Sequence, residues 1–316
     1  MDVIVNEDAP TNWNEMLQRS ENAHIYNTLN YANVMQSAFG HKPLFFQTKN
    51  AQLLGFEQEL KGIAGKLGRG FVAFAPPVGN ENEFPDLLNA IEDECKKRKI
   101  VSITLWGSTL WNKQEAFGGF EKVEMQNVVA KLGKSEEELF ATLAKAARKN
   151  LNKVKEIPGT VSEGTEKDLE DYYLNYKAHH DAIGLEVYPK EFFELLYKEI
   201  ISNDLGKFFI LRDTDGVFAG GLMVGTFGKS IYELSISSNW EKRELFPNDV
   251  IKWHTIKWAN KNGFAQFDLS NIAVDADEGS KQHGVNRFKK KFGSVVSYNA
   301  YKKKLGAAKL LSKLKK

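Results

Sequence analysis

The stretch Phe264–Gly293, FAQFDLSNIAVDADEGSKQHGVNRFKKKFG, constrains this chain more than any other. Phe264, Phe267 and Leu269 suit a buried strand that starts after the turn at Asn262-Gly263. Ser270–Gly284 is a polar, glycine-bearing loop too long for a plain connection, which marks loops that carry function. Arg287, Lys289, Lys290 and Lys291 then gather positive charge around Phe288 and ahead of Phe292. A cationic helix presented by a strand end and a long loop suits an anionic substrate. The same run also fits a solvated helix face.

The rest of the chain supplies the sheet such a unit needs. Trp13–Ser20 and Asn30–Phe39 read as short helices. Leu44–Gln47, Gln52–Leu60 and Phe71–Phe74 read as strands, the last ended by Pro76-Pro77. Asp86–Lys97 is an amphipathic helix with Leu87, Leu88, Ile91 and Cys95 on one side, and Ile100–Trp106 a β-branched strand. This is the content of one α/β or α+β domain. After a strand at Met125–Lys131, the capping box Ser135-Glu136-Glu137-Glu138 opens one helix that Pro158-Gly159 stops. Phe140, Leu143, Ala147, Leu151 and Val154 face its core side. Lys145, Lys149 and Lys153 align opposite, flanked by Arg148 and Lys155, as either solvent or phosphate contacts. Next come a strand at Thr160–Ser162 and helices at Glu166–His180 and Pro189–Ile201. A meander follows over Lys207–Arg212, Val217–Thr226 and Ser230–Ser238, its turns at Asp213–Gly216 and Phe227–Lys229. Pro247 begins a helix to Asn262. Ser294–Tyr301 is one more strand, and Leu305–Lys316 a basic amphipathic tail.

A chain of 316 residues, 42% hydrophobic and 12% aromatic, fits about two domains or one large one and excludes wholesale disorder. The net charge of +2 leaves polyanion contact to local patches. Cys95, the single cysteine, rules out an intrachain disulfide and a thiolate zinc site. MDVIVNEDAP has neither a basic n-region nor an apolar h-region, and no run nears the ~18 apolar residues of a span. The expectation is a soluble, cytoplasmic protein. Lys302–Lys304, Lys313, Lys315 and Lys316, beside Leu305, Leu310, Leu311 and Leu314, offer contact with RNA or with the inner face of an anionic membrane.

The element order from Ser135, with Arg148-Lys149-Asn150-Leu151-Asn152-Lys153, Pro247-Asn248, Phe267-Asp268-Leu269 and Gly284–Gly293, resembles the second domain of the Fem-type aminoacyltransferases. The likeness covers Ser135–Gly293. Ahead of it only Thr28-Leu29-Asn30-Tyr31 and Pro76-Pro77-Val78-Gly79 match. The resemblance implies an α/β fold with mixed sheets in two tandem GNAT-like domains, here 1–132 and 133–293, with 294–316 returning to the first. It also implies transfer of an amino acid from aminoacyl-tRNA to an amine on a cell-wall or surface-glycan peptide precursor, lipid-linked acceptors included, with no cofactor and no DNA partner. Three departures stand out. Trp240–Asn248 has no glycine, where GNAT acetyltransferases hold the CoA pyrophosphate on a glycine-rich loop, so tight acetyl-CoA binding is disfavoured. No arginine lies between Arg148 and Arg212, where relatives often hold substrate phosphates. Ser270-Asn271 stands where glycines are common.

Aminoacyl transfer needs an amine that loses its proton and an oxyanion that is stabilised as the ester breaks. The resemblance points to Lys289 for the oxyanion, with Arg287 and Lys290 on phosphate or the tRNA backbone. Phe288, Asn248, Arg148, Lys149, Lys153 and Tyr31 are further substrate-binding candidates. Tyr232 reads as a substrate contact or as a packed tyrosine. Asp268 either orients a lysine or accepts a proton, or else caps the loop. Glu233 alternates away from Tyr232. Cys95 reads as core. His179 and His180 point about 100° apart, which makes no chelating face and suits a helix C-terminus instead. His254 reads as a buried, hydrogen-bonded histidine, and no metal site is expected. Two rival readings remain: an acyl-CoA-dependent N-acyltransferase acting on a sugar nucleotide or glycan, and a non-catalytic GNAT-like protein that binds RNA or a membrane surface.

Overall fold

The computed structural model describes residues 2–65, 68–111, 118–154, 159–306 and 308–309. The chain falls into two units, Met1–Met125 with Ser297–Lys316, and Gln126–Val296.

The first unit holds strands β1 (Ile4–Asn6), β2 (Lys42–Gln47), β3 (Ala51–Glu59), β4 (Arg69–Ala73), β5 (Val78–Gly79) and β6 (Ser102–Trp106). Its helices are α1 (Trp13–Gln18), α2 (Leu29–Phe39), α3 (Gly62–Gly65) and α4 (Phe84–Lys97). Leu44, Phe46 and Leu53 of the sheet are buried with Leu87, Ile91 and Cys95 of α4, the apolar side read from the sequence. Gly55 is required at its place, because a Cβ there would strike the Phe71 ring on the neighbouring strand. β4 and β6 run parallel, Gly70 opposite Ser102 through Ala73 opposite Leu105, with α4 between them in sequence.

The second unit begins within β7 (Glu121–Lys131) and continues through α5 (Glu136–Thr142), α6 (Lys145–Val154), β8 (Gly159–Glu163), α7 (Leu169–Ile183) and α8 (Lys190–Leu195). The meander β9 (Gly206–Asp213), β10 (Phe218–Phe227) and β11 (Ser230–Ser238) leads to α9 (Pro247–Lys261), β12 (Gln266–Ile272) and α10 (Lys281–Lys289). The sheet order is β7-β12-β11-β10-β9-β8. Last in the chain, β13 (Ser294–Lys304) pairs antiparallel with β6, Tyr301 opposite Leu105. Two adjacent glycines of β10 show how the second sheet is covered. A Cβ on Gly220 would meet Pro247 and Ile251 of α9, and one on Gly221 would meet Tyr172 of α7. Successive strand residues face opposite sides, so the two helices lie on opposite faces.

The single helix expected from Ser135 is broken in two. Its capping box forms as read, with Ser135 Oγ accepting from the Glu138 amide and the Glu138 carboxylate accepting from the Ser135 amide. Leu143 then turns extended, at φ −64° and ψ 146°, and the Ala144 amide donates to the Lys291 carbonyl at 2.9 Å. That tertiary hydrogen bond replaces an intrahelical one. Lys155–Pro158, where the helix was expected to stop, lie outside the described residues.

Candidate active site

The site grows from the way β11 and β12 part. Their parallel pairing covers Ser230–Tyr232 against Gln266–Asp268 and then ends, although β11 runs on to Ser238 and β12 to Ile272. Two irregularities accompany the parting. Leu234 is an extra residue against β10, since Met223 faces Ser235 and Val224 faces Glu233. On β12 the register against β7 shifts between Asp268 and Asn271, and Ser270 takes a left-handed φ of 69°. Bulges of this kind re-aim side chains next to active sites.

Around this opening lie four charged side chains. Asp268, 3% exposed, accepts from Asn127 Nδ2 at 2.8 and 2.9 Å and from the Ser270 amide at 2.8 Å. The last contact is the loop cap considered from the sequence. Glu233 alternates onto the α9 side and pairs with Lys252, which is 0% exposed and flanked by the rings of Phe267 and Phe288 at 6.0 and 5.7 Å. Lys289, at the end of α10, is half-buried and donates to the Asn271 carbonyl at 3.0 Å. Burial lowers its pKa below the ordinary lysine value; Glu233 opposes the shift, Lys252 reinforces it and Asp268 opposes it. Tyr232, 2% exposed, lies opposite Asp268, and burial raises its pKa well above the tyrosine value while the Ser230 hydroxyl pulls the other way. It is therefore a neutral phenol throughout the physiological range.

Arg287, Phe288 and Lys290 line a cavity of about 780 Å³ together with Ala144, Ala146 and Lys291. Arg287 and Lys290 are exposed there, while Lys291 is held by Asp249 at 2.7 Å and lies 4.5 Å from the Phe288 ring centre. The broken helix matters at this point, because the break sets the first turn of α6 on the rim of the cavity.

Other candidates lie elsewhere. Lys145, Lys149 and Lys153 are exposed, with the Lys153 ammonium 5.8 Å from the Phe246 ring centre, and Arg148 donates to the Ala141 carbonyl at 3.5 Å. Asn248 meets Ser238 Oγ at 3.4 Å, at the far end of β11 from Tyr232. Tyr31 belongs to the first unit, packed beside Tyr26 and Phe74. His180, read as a helix C-terminal contact, instead sets its Nδ1 2.8 Å from the Glu186 carbonyl, beyond the end of α7. His179 departs from that reading: burial, then His180, lowers its pKa, so the neutral ring is favoured. His254 is half-exposed on a groove beside Trp253 rather than buried. Burial pushes the Cys95 thiol up to about 12, which removes it as a nucleophile. Among the described residues no helix is long and apolar enough to cross a membrane, and Leu310–Lys316 of the basic tail lie outside them.

Lys252 and Asn127 were missed by sequence reasoning. Lys252 left a signal: with Thr255, Ile256 and Ala259 it follows the i, i+3, i+4, i+7 spacing of a buried stripe. Asn127 left none, since its partner Asp268 is 141 residues away.

Parallel strands that part beyond a bulge, with a helix between them in sequence, define the GNAT class of acyltransferase fold. Residues 141–290 match the acetyltransferase (GNAT) domain family. The lipid II:glycine glycyltransferase of Staphylococcus aureus is 28% identical over 83 residues, 26% of this chain and 20% of that protein, so the match spans about a fifth of the relative. The crystal structure of FemX superposes with a TM-score of 0.76 at 13% identity, covering 99% of both chains. A tandem GNAT protein from the clavulanic acid biosynthesis pathway gives 0.54 at 8% identity, covering 96% of this chain and 99% of that one. These likenesses establish the tandem GNAT fold, and the resemblance to the Fem-type transferases is borne out.

Proposed function

We propose that this protein is a Fem-like aminoacyltransferase that joins an amino acid, carried as the ester of aminoacyl-tRNA, to an amine of a cell-wall or surface-glycan peptide precursor. The observation that carries the reading is Lys289: a half-buried amine whose one hydrogen-bond partner among the described residues is a carbonyl oxygen, set beside Asp268 and a cationic cavity. The acceptor amine attacks the ester carbonyl, the carbonyl oxygen gains negative charge, and as the C–O bond breaks and the amide forms the ribose oxygen of the tRNA leaves as a hydroxyl carrying the proton that the amine gives up. Lys289, in its ammonium form, donates to that oxyanion, where one preorganised donor is worth ~10²–10³ in rate. Asp268 already accepts from Asn127 and Ser270, which suits a carboxylate that fixes the opening rather than one that takes the substrate's proton. Arg287 and Lys290 supply cations for phosphate groups, and Phe288 an apolar wall. The glycine-free Trp240–Asn248 segment supports a tRNA donor over acetyl-CoA. The glycyltransferase relative carries lipid II in its name, which supports a lipid-linked acceptor and peripheral contact with the membrane.

The test is reconstitution of the full chain with a panel of aminoacyl-tRNAs and lipid-linked muropeptide, with products read by mass spectrometry. An added aminoacyl mass that vanishes after ribonuclease treatment is expected. Acyl transfer from acetyl-CoA alone, with thermal stabilisation by that cofactor, would overturn the proposal in favour of the CoA-dependent reading.

A further inference from the structure

Lys252 has no part in the chemistry above, yet it is the cation buried deepest beside it. Its side chain is 0% exposed, ion-paired with Glu233 and enclosed by Phe267 and Phe288. Core stability does not call for such a pair, because apolar residues of the same volume do as well or better at a buried position. Its surroundings suggest what it does. The charged groups that act electrostatically on Lys289 are Glu233 from β11, Lys252 from α9 and Asp268 from β12. Asp268 is occupied by Asn127 and Ser270, and Glu233 by Lys252. Nearby Lys291 is held by Asp249. Every carboxylate around the opening is thus engaged, and Lys289 is left with the Asn271 carbonyl. Without the Lys252 charge, Glu233 becomes a buried carboxylate in want of a cation, and Lys289 is the next one available.

We propose that Lys252 is a positioning residue that occupies Glu233 and thereby keeps Lys289 unpaired for the substrate. The inference rests on the reading that Lys289 does the chemistry of this site. It assigns two opposite effects on one ammonium. Removing Lys252 frees Glu233 to hold the Lys289 proton; neutralising Glu233 leaves Lys252 as an uncompensated like charge that expels it.

The experiment is competitive acetylation with trace acetic anhydride across pH, with labelling at Lys289 and at exposed Lys290 quantified by mass spectrometry. In the unaltered protein the Lys289 midpoint falls below the ordinary lysine value. Lys252→Met is expected to raise the Lys289 midpoint by about one pH unit or more, the scale for a newly unshielded opposite charge, and to lower kcat/KM about tenfold. Lys252→Arg should keep the original midpoint. Glu233→Gln should move it downward, which covers the case in which Lys252→Met does not fold. A purely structural lysine would leave the Lys289 midpoint unmoved in the folded variants, and that result would overturn the proposal. The labelling needs no transferase assay, so moved midpoints in a protein that transfers nothing would sink the functional reading and leave the coupling standing.

Discussion

The two units solve the same architectural problem and place their charges at opposite ends of the solution. Each has a parallel strand pair joined through a helix, β4–α4–β6 in the first and β11–α9–β12 in the second. In the first, the buried carboxylate of Glu57 pairs with Arg69 at the start of β4 and with Arg98 just after α4. Beyond the other end of that pair come Phe74, Ala75 and Pro76-Pro77. In the second unit Glu233, Lys252, Asp268 and Lys289 gather where the parallel pairing ends. Ligands in open α/β sheets bind beyond the carboxyl ends of the strands. Charge at the entering end therefore staples an element down, and charge at the exit end is available to a substrate. Repeating a fold does not repeat a site.

The sharpest way to break this comparison is Lys289→Met. Turnover is expected to fall ~10²-fold or more, the scale of one lost oxyanion donor, with the melting temperature held, as read by amide product and calorimetry. An unchanged rate would remove Lys289 from the mechanism. Acid should separate the units next. His24 is buried in the first unit, stacked 4.6 Å from Tyr26, and burial lowers its pKa from 6.5 to about 3. Below pH 6.5 the unfolded chain takes up a proton that the folded one refuses until about pH 3, so stability falls as pH drops through that window. His24→Gln should flatten this loss, measured by urea unfolding at pH 7 and pH 4.5.

Glu57→Ala comes third. It leaves two arginines without their buried partner, and since both are partly exposed, the loss should be about 2–3 kcal/mol, below the full cost for a buried pair. Activity per folded molecule should not change, and a fall in kcat there would blur the contrast between the two ends. The smallest effects fall equally on both units. Thr28→Ala removes the cap on the Tyr31 amide, and Ser135→Ala the cap on the Glu138 amide, each costing about 1 kcal/mol in denaturant midpoints. Similar losses would show that the units share folding energetics even where they differ in chemistry.

Much of the site could be read from local pattern. Phe267-Asp268-Leu269 had strand periodicity, FKKKFG its charge, and Glu233 its alternation away from Tyr232. The break between α5 and α6 could not be read, because Leu143 and Ala144 have good helix propensity and yield to one hydrogen bond with Lys291. Lys252 was half-legible: its spacing put it on a buried stripe, while its charge argued for the surface.

On its own, the sequence determined the elements, their order, the apolar faces and the cationic run, because hydrophobic periodicity, caps and turn residues act over a few neighbouring positions. Tertiary structure alone decided which charges meet. The ion pair of Lys252 with Glu233, the clasp of Asn127 on Asp268 and the tie from Ala144 to Lys291 all join residues far apart in the chain. Inside the fold, low dielectric and lost hydration make such meetings strong, and local pattern holds no record of them.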